Sequence, residues 1–381
     1  MSLDYSKCRS EEAAFYREFA QQEIKPYFHV LEETGGTPPE LLEKMAQAEL
    51  LGIPIPKEYG GLGKDYISAT LCMEELSKIS PATAGIINVS SELVCGAIEK
   101  HGTEAQKQKY IVPMAKGSVI GAFALTEPGV GSDTAGVRTA AVLDGDHWVL
   151  NGTKCFITNA EIASTFLIAA LTDIGEGKRK ISMFIVEKDY PGFRIGKHED
   201  KMGIRSSSTC ELILENCIVP KENLLGELGK GLKVALGCLA GGRVMIAAQG
   251  LGLAQGCWDE AVAYLKAHKE ETENAINTQR VQFKLAELQI RIDAARLMVY
   301  RAADQWSRGE AFDTAAAMAK YYATDVANEV ARSCIQLMGL DGAEFGTRTE
   351  QFFRDAKITE IYEGTNEIQL MVVAGLLGLK A

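Results

Sequence analysis

The segment Arg354-Asp355-Ala356-Lys357-Ile358-Thr359-Glu360-Ile361-Tyr362-Glu363-Gly364-Thr365-Asn366-Glu367 is rich in polar side chains, yet apolar helical stretches flank it on both sides. Glu363 sits between Tyr362 and Gly364, so the backbone there can bend sharply and approach a ligand closely. A carboxylate beside an aromatic ring in a pocket is desolvated, which raises its proton affinity and suits it to act as a base. The same residues also read as a helix start. Thr365 is a good N-cap for a turn that enters Ile368-Gln369-Leu370-Met371. On the residues alone, both readings stand.

A second stretch, Phe123-Ala124-Leu125-Thr126-Glu127-Pro128-Gly129-Val130-Gly131-Ser132-Asp133, joins a strand end to a Gly-rich loop. Such loops offer backbone N–H groups to a flat or phosphorylated ligand, and equally they make tight surface turns. The texture of the chain changes around it. From Glu11 to about Lys116 the pattern is helical: Phe15, Phe19 and Ile24 recur at helical spacing, and Leu41, Leu42, Met45 and Leu50 follow the start signal Thr37-Pro38-Pro39. Gly60-Gly61-Leu62-Gly63 reads as a loop, and a long helix is expected from near Asp65 to Ser80-Pro81.

Between about Ser118 and Asn223, short β-branched runs alternate with Gly, Pro and Asp, and Asp144-Gly145-Asp146 and Asn151-Gly152 both carry hairpin-turn chemistry. An antiparallel β-domain is expected there. From Gly229 onward the helical period returns in Val234–Tyr264, Phe283–Ser307 and Thr314–Met338, which suits a helical bundle. The predicted fold class is α+β. Its units are an N-terminal helical domain (1–117), a middle β-domain (118–223) and a C-terminal bundle (224–381).

Composition narrows the function. Of 381 residues 46% are apolar and 24% charged, which excludes a disordered or collagen-like chain. The net charge of −11 disfavours nucleic acid and anionic membranes as partners. The nine cysteines form no C-x-x-C pair, which suits free thiols in a reducing cytoplasm. The five histidines form no metal-ligand spacing, so no metal is expected. No run reaches the ~18 consecutive apolar residues that mark a membrane helix.

Taken together and in order, the motifs resemble the acyl-CoA dehydrogenase family over nearly the whole chain. They are Pro56-Lys57-Glu58-Tyr59-Gly60-Gly61, Leu125-Thr126-Glu127-Pro128, Asn151-Gly152-Thr153-Lys154 with Phe156-Ile157-Thr158-Asn159, Lys201-Met202-Gly203-Ile204, Gly242-Arg243, and Ile361-Tyr362-Glu363-Gly364-Thr365. Within the family the chain looks most like the short-chain, butyryl-CoA branch.

The resemblance implies an FAD enzyme that oxidises an acyl-CoA to the 2-enoyl-CoA, with Glu363 removing the α-proton while the β-hydrogen leaves as hydride. The thioester enolate would be held by the backbone N–H of Glu363 and a flavin hydroxyl. It implies that Phe123, Ala124, Leu125, Thr126, Gly131, Ser132, Phe156, Ile157 and Thr158 meet the flavin. Thr365, Asn366 and Glu367 would reach its ribityl–diphosphate end, and Ser132, Arg243 and Gly364 the acyl-CoA. It also implies a homotetramer in which Gln279, Gln336 and Gly339 serve a neighbour's FAD, with electron-transfer flavoprotein as the electron partner. Some relatives run the reaction in reverse, as enoyl-CoA reductases.

The chain departs from the family pattern in one unit. Where members carry Arg-x-Gln-Phe-Gly, it has His268, Glu270, Glu271 and Thr272; Leu340 replaces the second Gly of Gln-x-x-Gly-Gly, and Ala240 replaces the Asp of Asp-x-x-Arg. A neutral imidazole cannot grip a diphosphate as a guanidinium does. Three arrangements stay open: a homotetramer with a looser adenosine end, the base-bearing subunit of a hetero-oligomer with a paralogue, and a flavin-poor acyl-CoA-binding subunit.

Overall fold

The computed structural model describes residues 9–268 and 276–379. Three of the described N-terminal helices start where a short polar side chain, Asp65, Ser80 or Thr103, satisfies a free N–H group. Asp65 accepts from Ser68 N (3.0 Å) and opens Tyr66–Ser77. That helix ends before Ser80-Pro81, and Pro81 begins the next one, with Ser80 as its cap. A proline lacks only an N–H that the first helical turn leaves free, so here it starts a helix. The new helix runs as Pro81–Ile87, a π-helical segment Asn88–Cys95, and Gly96–His101. Leu50, expected on the helix after Pro38, lies instead in a separate 3-10 turn, because Pro39–Gln47 closes at Ala48.

Among the described residues eight strands form one sheet: β1 Gly121–Ala124, β2 Ala140–Asp144, β3 His147–Thr158, β4 Thr165–Asp173, β5 Arg179–Glu187, β6 Phe193–His198, β7 Thr209–Pro220 and β8 Leu224–Leu225. Their order is β6-β7-β3-β2-β4-β5-β8, with β1 also on β4. Five pairings are antiparallel, but β1 and β2 both lie parallel to β4. Phe166 to Ala170 of β4 are all buried, as expected of a strand covered on both faces. Gly145-Asp146 does make the β2–β3 turn. Asn151-Gly152 does not turn. It lies inside β3 at a register shift opposite β7, where a Cβ on Gly152 would fall 2.8 Å from Thr139 Cα. The turn-like dipeptide is a bulge forced by that close approach.

The last third is helical: Gly231–Ala267, Gln279–Ser307, Asp313–Met338, Arg348–Thr359 and Asn366–Leu376. Among the described residues two helical stretches, Pro81–His101 and Gly231–Ala267, are long and apolar enough to cross a membrane. Their apolar windows are 89% and 78% buried within the fold, as core helices are. Eight described cysteines are unpaired, seven of them buried. Among the described residues no group of three or more His, Cys, Asp or Glu side chains is placed to hold a metal.

Two contacts fix the sheet against the helices. Gly203 lies so close to Arg354 that a Cβ there would fall 2.2 Å from Arg354 O, and Ile204 N donates to Asp355 Oδ1 (2.5 Å). Deeper in, Lys154 is fully buried and donates to Glu127 Oε1 (2.8 Å) and to Leu125 O (3.2 Å), which ties the Gly-rich loop to β3. Burial lowers the Lys154 pKa to about 8, while Glu127, despite its own burial, is held below the usual carboxylate range by Lys154 and Thr139. Glu127→Gln keeps the shape of the pair and removes the charge that holds the buried Lys154 protonated. It should destabilise the protein by about 3–5 kcal/mol, read as a lower Tm, and the double substitution Glu127→Gln/Lys154→Met should recover part of the loss.

Candidate active site

Glu363 owes its placement to a chain reversal between two helices. After Arg348–Thr359 ends, Ile361 N and Tyr362 N both donate to Ile358 O (2.9 and 3.1 Å). The next two residues are left-handed, Glu363 at φ 53° and Gly364 at φ 93°. A non-Gly residue held there marks backbone fixed by its surroundings. Gln369 Nε2 donates to Gly364 O (2.8 Å), and Thr365 Oγ1 accepts from Ile368 N (3.3 Å) to cap Asn366–Leu376. Thr365 is thus the helix cap that the sequence offered, and the turn just before it carries Glu363. Tyr362 anchors the same turn by donating to Gln249 Oε1, while Gln249 Nε2 donates to Pro81 O (2.6 Å).

Taken whole, Glu363 is half-buried, but its carboxylate points inward. Oε1 accepts from Asn88 Nδ2 at 2.5 Å, whereas Oε2 is cut off from solvent and has no protein partner. The space for it exists because residue 242 is glycine: a Cβ there would lie 2.0 Å from Oε2. Burial is the largest influence and raises the Glu363 pKa to about 7, against the lowering effects of Asn88, Lys320 and Arg243. Lys320, wholly buried, donates to Asn366 Oδ1 (3.0 Å), and burial lowers its pKa to about 8. Arg243 is buried with Nε unpartnered, and the carboxylates of Asp313 and Glu363 offset part of the cost of burying it. Asp313 thus supplies a charge near Arg243 although Ala240 has lost the expected one.

The geometry is a dry carboxyl near neutrality with one oxygen tied and one free, beside two buried cations. Matches to three family profiles cover most of the chain: the acyl-CoA dehydrogenase N-terminal domain over residues 11–118, the middle domain over 122–217 and the C-terminal domain over 229–377. The chain belongs to the acyl-CoA dehydrogenase family. It is 46% identical over 375 residues to the short-chain specific acyl-CoA dehydrogenase of Clostridium acetobutylicum, covering 98% of this chain and 99% of that one. Among solved structures it superimposes on butyryl-CoA dehydrogenase from Megasphaera elsdenii with a TM-score of 0.93 (40% identity, 97% and 98% coverage). A chain from a structure of the electron-transferring flavoprotein of Acidaminococcus fermentans matches with a TM-score of 0.95 (43% identity, 99% of both chains). Other solved members of the family carry FADH2 or FAD.

The residues present fit a flavin. Cys155 N donates to Thr126 O (3.0 Å), which sets Leu125-Thr126 beside the end of β3. There Phe156 turns outward at φ 56° with 62% of its surface exposed, between buried Cys155 and Ile157, and Thr158 is half-buried. Among the described residues no protein acceptor engages the Glu363 N–H, the donor that the family reading assigns to the thioester oxygen. Of the remaining residues read from the sequence, Phe123, Ala124, Leu125 and Thr126 line β1 and its exit, and Gly131 and Ser132 stand exposed on the loop. Glu367 is exposed in the first turn of the last helix. Gln279 and Gln336 are exposed near the ends of their helices, and Gly339 at φ 70° closes Asp313–Met338. Leu340 is helical and 84% exposed, so the missing glycine costs no backbone strain.

His268 donates from Nδ1 to Tyr264 O (2.9 Å) and stacks on the Tyr264 ring, closing its own helix. Glu270, Glu271 and Thr272 lie outside the described residues. Asn88, Lys320 and Asp313 were not singled out from the sequence. A polar signal existed for two of them: Asn88 interrupts Ile86-Ile87 and Val89, and Lys320 follows the alanine-rich Ala315 to Ala319.

Gly242→Ala tests the geometry. The added methyl displaces Oε2, so flavin reduction by substrate should fall about a hundredfold while the FAD absorbance per chain stays near that of the parent protein.

Proposed function

We propose that this chain is an FAD-dependent short-chain acyl-CoA dehydrogenase, working in a reducing cytoplasm as a homotetramer that passes electrons to an electron-transfer flavoprotein. One observation carries the catalytic part: the Glu363 carboxyl is buried, held through Oε1, free at Oε2 and near neutral in proton affinity. An α-proton beside a thioester is a very weak acid, so its base must be dry and its product enolate must meet a donor. Glu363 Oε2 takes the α-proton, and the free Glu363 N–H faces the developing thioester oxygen. Arg243, with an open Nε, suits the polar part of the CoA thioester. Bound FAD supplies the acceptor for the β-hydride. Phe123 to Thr126, Phe156 and Thr158 would hold its ring, and the turn at Gly364 to Asn366 would lie toward its far end.

The short-chain assignment rests on the relatives, which carry that name, and the flavoprotein partner on the Acidaminococcus match. The same residues serve the reverse reaction, reduction of a 2-enoyl-CoA. Self-association is supported by an apolar stripe on Gln279–Ser307, where Phe283, Ile290 and Leu297 are 66%, 69% and 51% exposed at seven-residue spacing. Leu370, Met371 and Leu376 are also exposed, on the last helix. A row of exposed apolar side chains of this kind suits an interaction surface. In a tetramer Gln279, Gln336 and Gly339 would reach a neighbour's cofactor.

Two outcomes follow. Glu363→Gln retains FAD and binds acyl-CoA, but anaerobic flavin bleaching by butyryl-CoA falls at least ~1000-fold, as for a lost general base; more than a tenth of the parent rate would assign the proton to another group. Ile290→Glu places a charge in the stripe and should convert the assembly to smaller species by light scattering, whereas an unchanged mass would place the subunit contact elsewhere.

A further inference from the structure

The π-helical segment Asn88–Cys95 packs against the catalytic turn and is buried at every residue. A π-turn in a helix widens the backbone and re-aims side chains, and such turns gather at functional sites. Here it turns Asn88, only 1% exposed, toward Glu363, 275 positions away in the chain, at 2.5 Å from Nδ2 to Oε1. We infer that Asn88 is a positioning residue that holds Glu363 as a carboxylate and turns its second oxygen, Oε2, to the substrate. The inference rests on the reading of Glu363 as the base.

Three features point this way. An amide N–H can only donate, so this bond favours the ionised base over the protonated one. Asn88 engages one oxygen, and the other, over Gly242, is left without a partner. Leu93, on the same π-helical segment, packs against the Gly242 site as well, with Cδ2 3.1 Å from where a Cβ would stand.

The charged and titratable groups around the base come from four elements. Glu92, on the segment that carries Asn88, is buried and raised to about 8 by burial, with smaller contributions from Glu99 and Glu363, so it keeps its proton to higher pH than an ordinary carboxyl. Arg243 on Gly231–Ala267 and Lys320 on Asp313–Met338 favour the carboxylate. Tyr362, on the catalytic turn, is raised well above its ordinary value by burial and stays neutral. Against the dominant burial effect, Asn88 has the largest of the three lowering influences on Glu363, ahead of Lys320 and Arg243.

The test is the pH profile of flavin reduction by butyryl-CoA in the holoenzyme, measured for the parent, Asn88→Leu, Asn88→Ser and Glu363→Gln. Loss of a stabilising donor raises the proton affinity of the base, so the rising limb should move to higher pH, by about one unit in Asn88→Leu. Asn88→Ser, which keeps a donor and adds no bulk, should fall between and carries the test if Asn88→Leu does not fold. At pH 6 the rate should drop about tenfold in Asn88→Leu, and well above the new inflection it should return to within a few-fold of the parent. A merely structural role would lower FAD content or rate at every pH and leave the inflection in place. An unmoved inflection in the folded Asn88 variants would overturn the inference while leaving Glu363 as base. A parent-like profile in Glu363→Gln would instead remove the reading of Glu363 itself.

Discussion

Everything distinctive about this chain depends on a carboxylate held out of water with one oxygen unsatisfied. Burying Glu363 is costly in isolation, since an ionised group loses its hydration, and the protein offsets this with one direct donor and two cations at a distance. The compensation is incomplete by design. Full pairing would leave a stable anion with no affinity for a proton, and no pairing would leave a neutral acid. With Asn88 on one oxygen, the group sits near pH 7, where it can both accept and return a proton.

That balance needs backbone precision from parts of the chain far apart in sequence. The left-handed pair Glu363-Gly364 is clamped by Gln369 on one side and by the Tyr362–Gln249–Pro81 chain of hydrogen bonds on the other. The β-domain is fixed to the same helices through Gly203 and Asp355, and its loop at Leu125 is held to β3 by the buried Lys154–Glu127 pair. Glu363 and the loop at Leu125, the proposed base and flavin contact, are thus both mounted on packed elements, which suits a reaction whose two hydrogens leave from adjacent carbons.

What the sequence disclosed followed the range of the interactions. Glu363, Gly364 and Thr365 were legible because bending and capping are decided within a few residues, and the long C-terminal helices because their apolar period persists over many turns. The order of domains was legible in the change of texture along the chain, and the resemblance supplied the cofactor. Asn88 was not legible, since its meaning comes from a contact across 275 residues. Asn151-Gly152 misled for the same reason. Its local chemistry favours a turn, but pairing with β7 and the press of Thr139 make it a bulge inside β3. The parallel placement of β1 and β2 on β4 is likewise a matter of tertiary packing that short alternating runs do not encode. His268 reads as a weakened phosphate contact in the family frame, while the structure gives it a local task at the end of its own helix.

The central claim is that burial holds Glu363 near neutrality, and the most direct measurement is an infrared difference titration of the carboxyl bands, parent minus Glu363→Gln, in the FAD-loaded protein without substrate. The account predicts one carboxyl that protonates with a midpoint near pH 7 and vanishes in the variant. A difference band titrating near the ordinary glutamate value of about 4.3 would contradict it, because a hydrated carboxylate of that kind would be neither buried nor matched to the proton it must take.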